Sequence, residues 1–160
     1  MKYPIGIQTF EEIITGGYVY VDKTALVYNL VDTGKYYFLS RPRRFGKSLL
    51  TTTLESYFLG RKDLFKGLAI EAMETEWLEY PVFHLDFTGE SYTSEETVLS
   101  VINQFLTSQE AIFGKEESET TMGLRFNGVV TRAFKQTGRQ AVILIDEYDK
   151  PLSDTIGQPE

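Results

Sequence analysis

Three short segments of the sequence are apolar at nearly every position, rather than at every second one. They are residues 36–39 (Tyr-Tyr-Phe-Leu), residues 82–87 (Val-Phe-His-Leu-Asp-Phe) and residues 141–145 (Ala-Val-Ile-Leu-Ile). A strand without alternation is typical of a parallel sheet that is covered on both faces. Because helical patterns separate these segments, the sequence predicts an α/β fold, with a parallel sheet flanked by helices.

The segments between these strands carry helix start signals. Thr9-Phe10-Glu11-Glu12 and Thr93-Ser94-Glu95-Glu96 both have the form of a capping box before an apolar stripe. Asp22 is expected to cap a further helix, whose buried stripe would contain Leu26, Val27 and Leu30. Residues 48–59 and a segment ending near Gly138 also show helical spacing. Residues 18–21 are expected to form a short strand, and the polar residues 114–121 a mobile loop.

Composition narrows the chemistry that is available. The 160 residues include 42% apolar residues, no cysteine and one histidine. These values argue against wholesale disorder, and they exclude disulfides, thiolate catalysis and zinc sites built from cysteine or several histidines. No apolar run approaches the roughly 20 residues of a membrane span, and the N-terminus lacks the apolar core of a signal peptide. We therefore expect no membrane partner and a cytoplasmic location.

Charge is distributed unevenly along the chain, whose net charge is -7. Residues 36–66 contain seven lysines and arginines against two acids, whereas residues 67–120 contain one lysine against twelve acids. A basic segment in an acidic chain indicates a localised anion site. A basic face exposed to solvent explains the same pattern, and charge alone leaves both readings open.

The basic segment contains a candidate phosphate loop, between the apolar run 36–39 and the helical pattern 48–59. Its residues are Arg41-Pro42-Arg43-Arg44-Phe45-Gly46-Lys47-Ser48. The pattern G-x-x-x-x-G-K-[ST] is matched except at its first glycine, where Arg41 stands. Gly46 lets the backbone approach a phosphate, Lys47 can reach the β- and γ-phosphates, and the Ser48 hydroxyl can ligate Mg²⁺. An ordinary turn followed by a helix start is the alternative.

Two carboxylates follow the apolar run 141–145. Asp146 stands where phosphoryl transfer needs an acid to hold Mg²⁺, as in the Walker B motif, and Glu147 is placed to orient or deprotonate the attacking water. Ligands of open α/β sheets bind outside the carboxyl ends of the strands. Composition alone could put acids here, but their order after the phosphate loop favours a nucleotide site. Asp86, at the end of residues 82–87, is a lesser candidate for ordering Mg²⁺ or water.

The chain resembles the AAA-ATPase-like proteins of bacteria. The resemblance rests on Tyr20-Val21-Asp22-Lys23-Thr24, on the phosphate loop through Leu49, on Phe65-Lys66-Gly67-Leu68, on residues 81–87, and on Ile145-Asp146-Glu147-Tyr148-Asp149-Lys150-Pro151. It implies a P-loop NTPase fold of the ASCE/AAA-like type, with ATP and Mg²⁺ as cofactors. It also implies that residues 41–49 bind ATP, that Ser48 and Asp146 hold the metal, and that Lys47 and Glu147 are catalytic.

The resemblance also implies a restriction-endonuclease-like domain after the ATPase domain, through which DNA or a partner protein would bind. A nuclease core needs a carboxylate two residues before a lysine, and no lysine of this chain has one. We therefore assign no nuclease activity to these 160 residues. Two alternatives to an ATPase remain at this point: a nucleotide-binding switch without hydrolysis, and a basic module that binds nucleic acid or a partner.

The motif order predicts how the chain is organised. Residues 1–35 are expected to form an N-terminal extension of helices and a strand, and residues 36–160 the P-loop ATPase core. In ATPases that this chain resembles, the strand after the Walker B acid lies between the Walker B strand and the P-loop strand. Only ten residues follow Lys150. The sequence therefore predicts a core that is truncated after the Walker B strand.

Overall fold

The computed structural model describes residues 1–40, 42 and 45–155; the predictions for Arg41, Arg43 and Arg44 lie outside the described residues. The elements are α1 (Phe10–Thr15), α2 (Thr24–Thr33), α3 (Lys47–Phe58), β1 (Val82–Asp86), α4 (Glu95–Phe113), α5 (Met122–Thr137), β2 (Val142–Asp146) and α6 (Lys150–Thr155). Two 3-10 turns, Lys62–Phe65 and Ala69–Ala72, lie between α3 and β1. The chain forms two compact units, Met1–Glu79 and Tyr80–Glu160.

The first unit is helical, and aromatic side chains form its core. Phe10 of α1 packs on Phe65, with ring centroids 4.8 Å apart, and Phe65 packs on Trp77 at 5.1 Å. Tyr57 of α3 contacts the ring of Trp77 at 5.9 Å. Of the predicted stripe on α2, Val27 is buried in this core while Leu26 is exposed, so the prediction for Leu26 is wrong.

The strands predicted at residues 18–21 and 36–39 are absent. Both segments lack regular secondary structure and belong to no sheet, and Tyr36 and Phe38 are 94% and 76% exposed. An apolar run becomes a strand only when a second strand pairs with its backbone, and the described residues of the first unit contain no other strand. The apolar pattern of these two segments therefore identified residues that suit a strand, but it did not show whether a second strand is present to pair with them.

The second unit contains the predicted parallel sheet, so the α/β fold class is confirmed at that level. Strands β1 and β2 pair in parallel, with Phe83 beside Ile143 and Leu85 beside Ile145. Phe83 is fully buried against Val129 and Ala133 of α5 and stacks on the ring of Phe113 at 5.6 Å. Helices α4 and α5 thus pack on the face of the sheet that carries Phe83.

The cover over that face is incomplete. Ile143 and Ile145 are 47% and 49% exposed. A pocket of about 270 Å³ opens beside them, and its lining includes Leu85, Ile102, Phe105 and Phe126. None of the helices in the described part of the chain has the length and the apolar character that a membrane-spanning helix needs.

Local signals placed the helices of the second unit well. The helix start predicted at residues 93–96 is confirmed, but the cap is Ser94, whose side chain accepts from the Thr97 N–H, rather than Thr93 of the capping-box pattern. Gly138 ends α5 in a left-handed conformation. Residues 114–121 form a loop, as predicted, and its mobility stays a prediction. Arg132 donates to the Glu119 carboxylate and, at 2.8 Å, to the Gly114 carbonyl, so side-chain contacts join this polar loop to α5.

Candidate functional site

The glycine of the candidate phosphate loop has a left-handed backbone. Gly46 has φ = 74° and ψ = 29°, and α3 begins at the next residue, Lys47. A Cβ at Gly46 would meet no atom of the described residues within 4 Å, so the left-handed backbone is what favours glycine here. The helix predicted after the loop is confirmed, and it begins one residue earlier than expected.

The first turn of α3 presents backbone donors that no side chain caps. Among the described residues, no side chain accepts from the N–H groups of Ser48 or Leu49. The Ser48 hydroxyl is half-buried and likewise has no hydrogen-bond partner in the described part of the chain. Uncapped N–H groups, the positive end of the helix dipole and the adjacent lysine are suited to an anion such as phosphate.

Threonines fix the helix that carries these groups. The Phe10 N–H of α1 donates to Thr52 Oγ1 at 3.1 Å, and Thr52 Oγ1 donates to the Ser48 carbonyl at 3.0 Å. At the next position, Thr53 Oγ1 donates to the Leu49 carbonyl at 2.6 Å. The first turn of α3 is therefore tied to α1 through Thr52.

Asp22 lies one residue before Lys23, the N-cap residue of α2, so the predicted cap at Asp22 is displaced by one position, and its carboxylate forms a turn with the first helical residue instead. Its Oδ1 accepts from the backbone N–H of Thr24 at 2.8 Å and from the Thr24 hydroxyl at 2.7 Å, at the first residue of α2. Burial raises the pKa of the Asp22 carboxyl, but the hydrogen bonds from Thr24 and Ala69 outweigh it, so this pKa lies below its ordinary value. These bonds account for Asp22 without a nucleotide.

In the second unit, two carboxylates lie side by side where the strands end. The register pairs Asp86, the last residue of β1, with Asp146, the last residue of β2. Neighbouring strands are about 4.8 Å apart, and paired residues place their side chains on the same face. The lesser candidate Asp86 is therefore the direct neighbour of Asp146, the acid for which the sequence predicts a Walker B role.

Asp146 is buried and Glu147 is strained. Asp146 is 5% exposed, and its Oδ1 accepts the Glu147 N–H at 2.9 Å. Glu147 has φ = 50°, a left-handed conformation that is uncommon outside glycine, and its carbonyl accepts the Lys150 N–H at 2.9 Å. Strain of this kind is concentrated at functional sites. The sequence identified both acids, but it carried no signal for the backbone strain.

Asp86 is held by the loop that follows β1. Its two carboxylate oxygens accept one bond each from Thr88: Oδ1 from the backbone N–H at 2.8 Å and Oδ2 from the hydroxyl. Asp86 is exposed, whereas its neighbour Asp146 is buried. The carboxylate is thus fixed in direction and open to solvent.

A buried tyrosine that sequence reasoning missed lies beside these acids. Tyr92 is fully buried, and its hydroxyl has no hydrogen-bond partner among the described residues. Burial and the charges of Glu90, Asp86 and Asp154 raise the pKa of its phenol, in that order. The Tyr92 N–H donates to Asp154 Oδ2 at 3.1 Å. The only sequence signal was an aromatic residue in a polar loop after a strand, and that signal is weak.

Lys150 holds the loop after β1 to the start of α6. Its Nζ donates to the Glu90 carbonyl, lies 5.1 Å from the centroid of the Tyr92 ring and is 3.7 Å from Asp154 Oδ2. Lys150 belongs to the segment 145–151 that carries part of the family resemblance. Its contacts join the two peptide segments that leave the strands at Asp86 and Asp146.

The predicted site residues thus fall into two sets. The first unit contains Pro42, Phe45, Gly46, Lys47, Ser48 and Leu49, and the second contains Asp146 and Glu147. Within the described residues, no cluster of three or more histidine, cysteine or acidic side chains could hold a metal. The donors that are present, a serine hydroxyl and single or paired carboxylates, suit Mg²⁺, which keeps much of its water.

Comparison with known proteins identifies a family. The sequence model of the AAA-ATPase-like family, described as "Predicted AAA-ATPase", matches residues 4–160. An uncharacterised protein from the vnfD 5' region of Azotobacter chroococcum mcd 1 is 39% identical over 160 residues, which cover 99% of this chain and 31% of that protein. The chain therefore spans about a third of this relative.

No solved structure matches the chain. The family model covers both the loop with Lys47 and Ser48 and the strand that ends at Asp146. Since that match extends over nearly the whole chain, the protein belongs to the AAA-ATPase-like family of predicted AAA-ATPases.

Proposed function

We propose that this chain binds Mg-ATP in a P-loop-type site and takes part in its hydrolysis. The observation that carries the proposal is the left-handed Gly46 directly before α3, with Lys47 and Ser48 in the first turn. This geometry supports phosphate binding, and the family supports a nucleotide as the source of the phosphates. Residues 36–160 are proposed as the ATPase core, with residues 1–35 as an extension packed on it.

The phosphates would be bound by residues 41–49. The N–H groups of the first turn of α3 would donate to phosphate oxygens, and Lys47 would neutralise charge on the β- and γ-phosphates. Arg43 and Arg44 carry further positive charge next to this turn in the sequence. A lysine suits this task because its ammonium binds phosphate as a compact charge.

The acids at the end of β2 would serve the chemical step. Ser48 and Asp146 would hold Mg²⁺, which supplies electrostatic stabilisation of charge on the transferred phosphoryl group. Glu147 would accept a proton from, or orient, the attacking water. Its left-handed backbone supports a fixed direction for the carboxylate, since a strained conformation persists only where its surroundings hold it.

ATP binding by Lys47→Ala tests the first half of the proposal. We expect the affinity measured by calorimetry to fall about 10-fold or more, because a charged hydrogen bond contributes about 1.5–3 kcal/mol. Lys66→Ala is the matched control, since Lys66 is an exposed lysine of the same basic segment. Equal affinity for ATP in both variants would refute the phosphate loop.

Phosphate release by Glu147→Gln tests the second half. We expect the variant to keep its affinity for ATP and to lose about 100-fold or more of its turnover, as when a general base is removed. Glu117→Gln, an exposed acid of the same unit, makes the same change of charge and should turn over normally. ATP binding without turnover in the unmodified chain would replace hydrolysis with the nucleotide-binding switch.

A further inference from the structure

The pairing of Asp86 with Asp146 places two negative charges next to each other. They are register partners on adjacent parallel strands, whose spacing is about 4.8 Å. Like charges directly opposite each other destabilise a sheet. A cation between them would remove this repulsion.

The burial of Asp146 strengthens the case for a cation. Asp146 is 5% exposed, and the Glu147 N–H is its one hydrogen-bond donor among the described residues. Neither Asp146 nor Asp86 forms an ion pair with any side chain in the described ranges. Buried charges in proteins are paired with another charge or coordinate a metal. The backbone N–H of Glu147 supplies neither.

Tyr92, in the loop that follows Asp86, carries a second polar group whose hydrogen bonding is incomplete. Its hydroxyl is buried and lacks a hydrogen-bond partner within the described residues, although a buried hydroxyl normally has one. The carboxylates whose charges act on this phenol are Glu90, Asp86 and Asp154. A buried hydroxyl without a protein partner can donate to a water molecule bound beside it.

The state of Asp86 fits a hydrated cation. Thr88 holds both oxygens of its carboxylate in a fixed direction, and each oxygen retains a further lone pair. Asp86 is exposed, so water can reach it. Mg²⁺ is commonly bound by one or two carboxylates and keeps several of its waters, which agrees with a site of two acids.

We propose that Asp86 and Asp146 together hold a hydrated divalent cation, with Asp86 as its second carboxylate ligand and the Tyr92 hydroxyl hydrogen-bonded within the same group. The inference rests on the proposed function for the choice of Mg²⁺, and it goes beyond it by making Asp86 a metal ligand. All three residues belong to the second unit, so the site can bind its cation without nucleotide.

Titration of the full chain with Mn²⁺, followed by electron paramagnetic resonance without nucleotide, tests this site. We expect Asp86→Asn and Asp146→Asn each to weaken Mn²⁺ binding about 10-fold or more, because replacing even the groups that support metal ligands lowers metal affinity by about this factor. The amide oxygen introduced by Asp86→Asn can still accept the Thr88 N–H, which keeps the turn. Glu117→Gln is the matched control and should bind Mn²⁺ like the unmodified chain.

Thermal unfolding provides a second test, which is the rise in melting temperature that Mn²⁺ causes. If Asp86 had only a structural role, its replacement would not change that rise. Mn²⁺ should raise the melting temperature of the unmodified chain, because a ligand of the folded state stabilises it. The rise should vanish in Asp86→Asn. If that variant does not fold, Asp86→Glu keeps the charge and should restore a smaller rise.

The outcomes separate the two proposals. Mn²⁺ binding that is weakened by Asp146→Asn but not by Asp86→Asn would overturn the role of Asp86 and leave the proposed function in place. Mn²⁺ binding that neither variant affects would overturn the two-acid site. ATP binding by Lys47→Ala would still test, independently, whether the loop before α3 binds the phosphates. Loss of binding in both variants, with Glu117→Gln unaffected, supports the inference.

Discussion

Asp22 Oδ2 accepts the backbone N–H of Ala69 at 2.7 Å, across 47 positions of the sequence. The neighbouring Thr24 hydroxyl accepts the Ile70 N–H at 3.1 Å. Residues 22 and 24, in one of the segments that carry the family resemblance, are therefore joined to the second 3-10 turn, Ala69–Ala72, which directly follows another such segment, residues 65–68. These contacts hold the start of α2 to the rest of the first unit and account for Asp22 and Thr24 without a nucleotide.

Replacement of this carboxylate should destabilise the protein. Asp22→Ala removes the carboxylate that accepts the Thr24 and Ala69 N–H groups. Because both donors lose this hydrogen bond, we expect the free energy of unfolding to fall by about 1–2 kcal/mol. Urea denaturation measures the change. Asp32→Ala, at an exposed acid near the end of the same helix, should leave stability within about 0.5 kcal/mol.

The stabilising effect of Asp22 should also disappear in acid. Hydrogen bonds lower the pKa of its carboxyl below the ordinary value of 3.8, although burial alone would raise it. A pKa that is lower in the folded state contributes stability above the unfolded value, and this contribution is lost as the pH falls through the folded value. The difference in unfolding free energy between the unmodified chain and Asp22→Asn should therefore be constant near neutral pH and shrink below about pH 4. A difference that grows in acid would contradict the assignment.

Gly46→Ala should impair both the start of α3 and nucleotide binding. A left-handed φ of 74° costs an alanine roughly 1–2 kcal/mol, although the added methyl group meets no atom. Thermal denaturation and ATP calorimetry together measure the two effects. Gly89→Ala is the control, because Gly89 does not have a left-handed φ and has equal space for a methyl group.

Glu147→Gly should separate strain from chemistry. Glycine adopts φ = 50° freely, so we expect the folded state to gain roughly 0.5–1 kcal/mol, while turnover is lost with the carboxylate. Glu147→Gln keeps the strain and should show the loss of turnover alone. If Glu147→Gly were less stable than Glu147→Gln, the left-handed backbone would not be a source of strain.

Arg132→Ala should release the acidic loop 114–121. Its guanidinium donates to Glu119 and to the Gly114 carbonyl, which holds the loop on α5. We expect trypsin to cleave after Lys115 several-fold faster in this variant, because local opening exposes the backbone to proteases. Lys135→Ala removes a cation elsewhere on α5 and should leave the cleavage rate unchanged.

The features that the sequence predicted correctly are those encoded by neighbouring residues. Ser94 caps α4 through a residue three positions away, and Gly138 ends α5 through its own backbone angle. The parallel pairing of β1 and β2 was also predicted, because two apolar strands separated by helices have few other arrangements. At the candidate site, the order of Lys47, Ser48, Asp146 and Glu147 was read directly from the chain.

The features that failed depend on partners distant in the sequence. Residues 36–39 have the composition of a strand but no strand to pair with among the described residues of their unit. The contact of the polar loop 114–121 with α5 was not predicted, because the arginine that binds Glu119 lies on the next helix, 13 positions away. The pairing of Asp86 with Asp146 follows from the sheet register, which composition does not specify.

The chain contains one tryptophan, Trp77, and its ring packs against Phe65 and Tyr57 in the core of the first unit. Fluorescence that is excited at the red edge of the aromatic absorption band comes from tryptophan rather than tyrosine, and it therefore reports on that unit alone. Far-ultraviolet circular dichroism, in contrast, also detects α4 and α5 of the second unit. Coincident unfolding curves from the two optical signals would indicate one cooperative transition, and separate curves would give each unit its own stability.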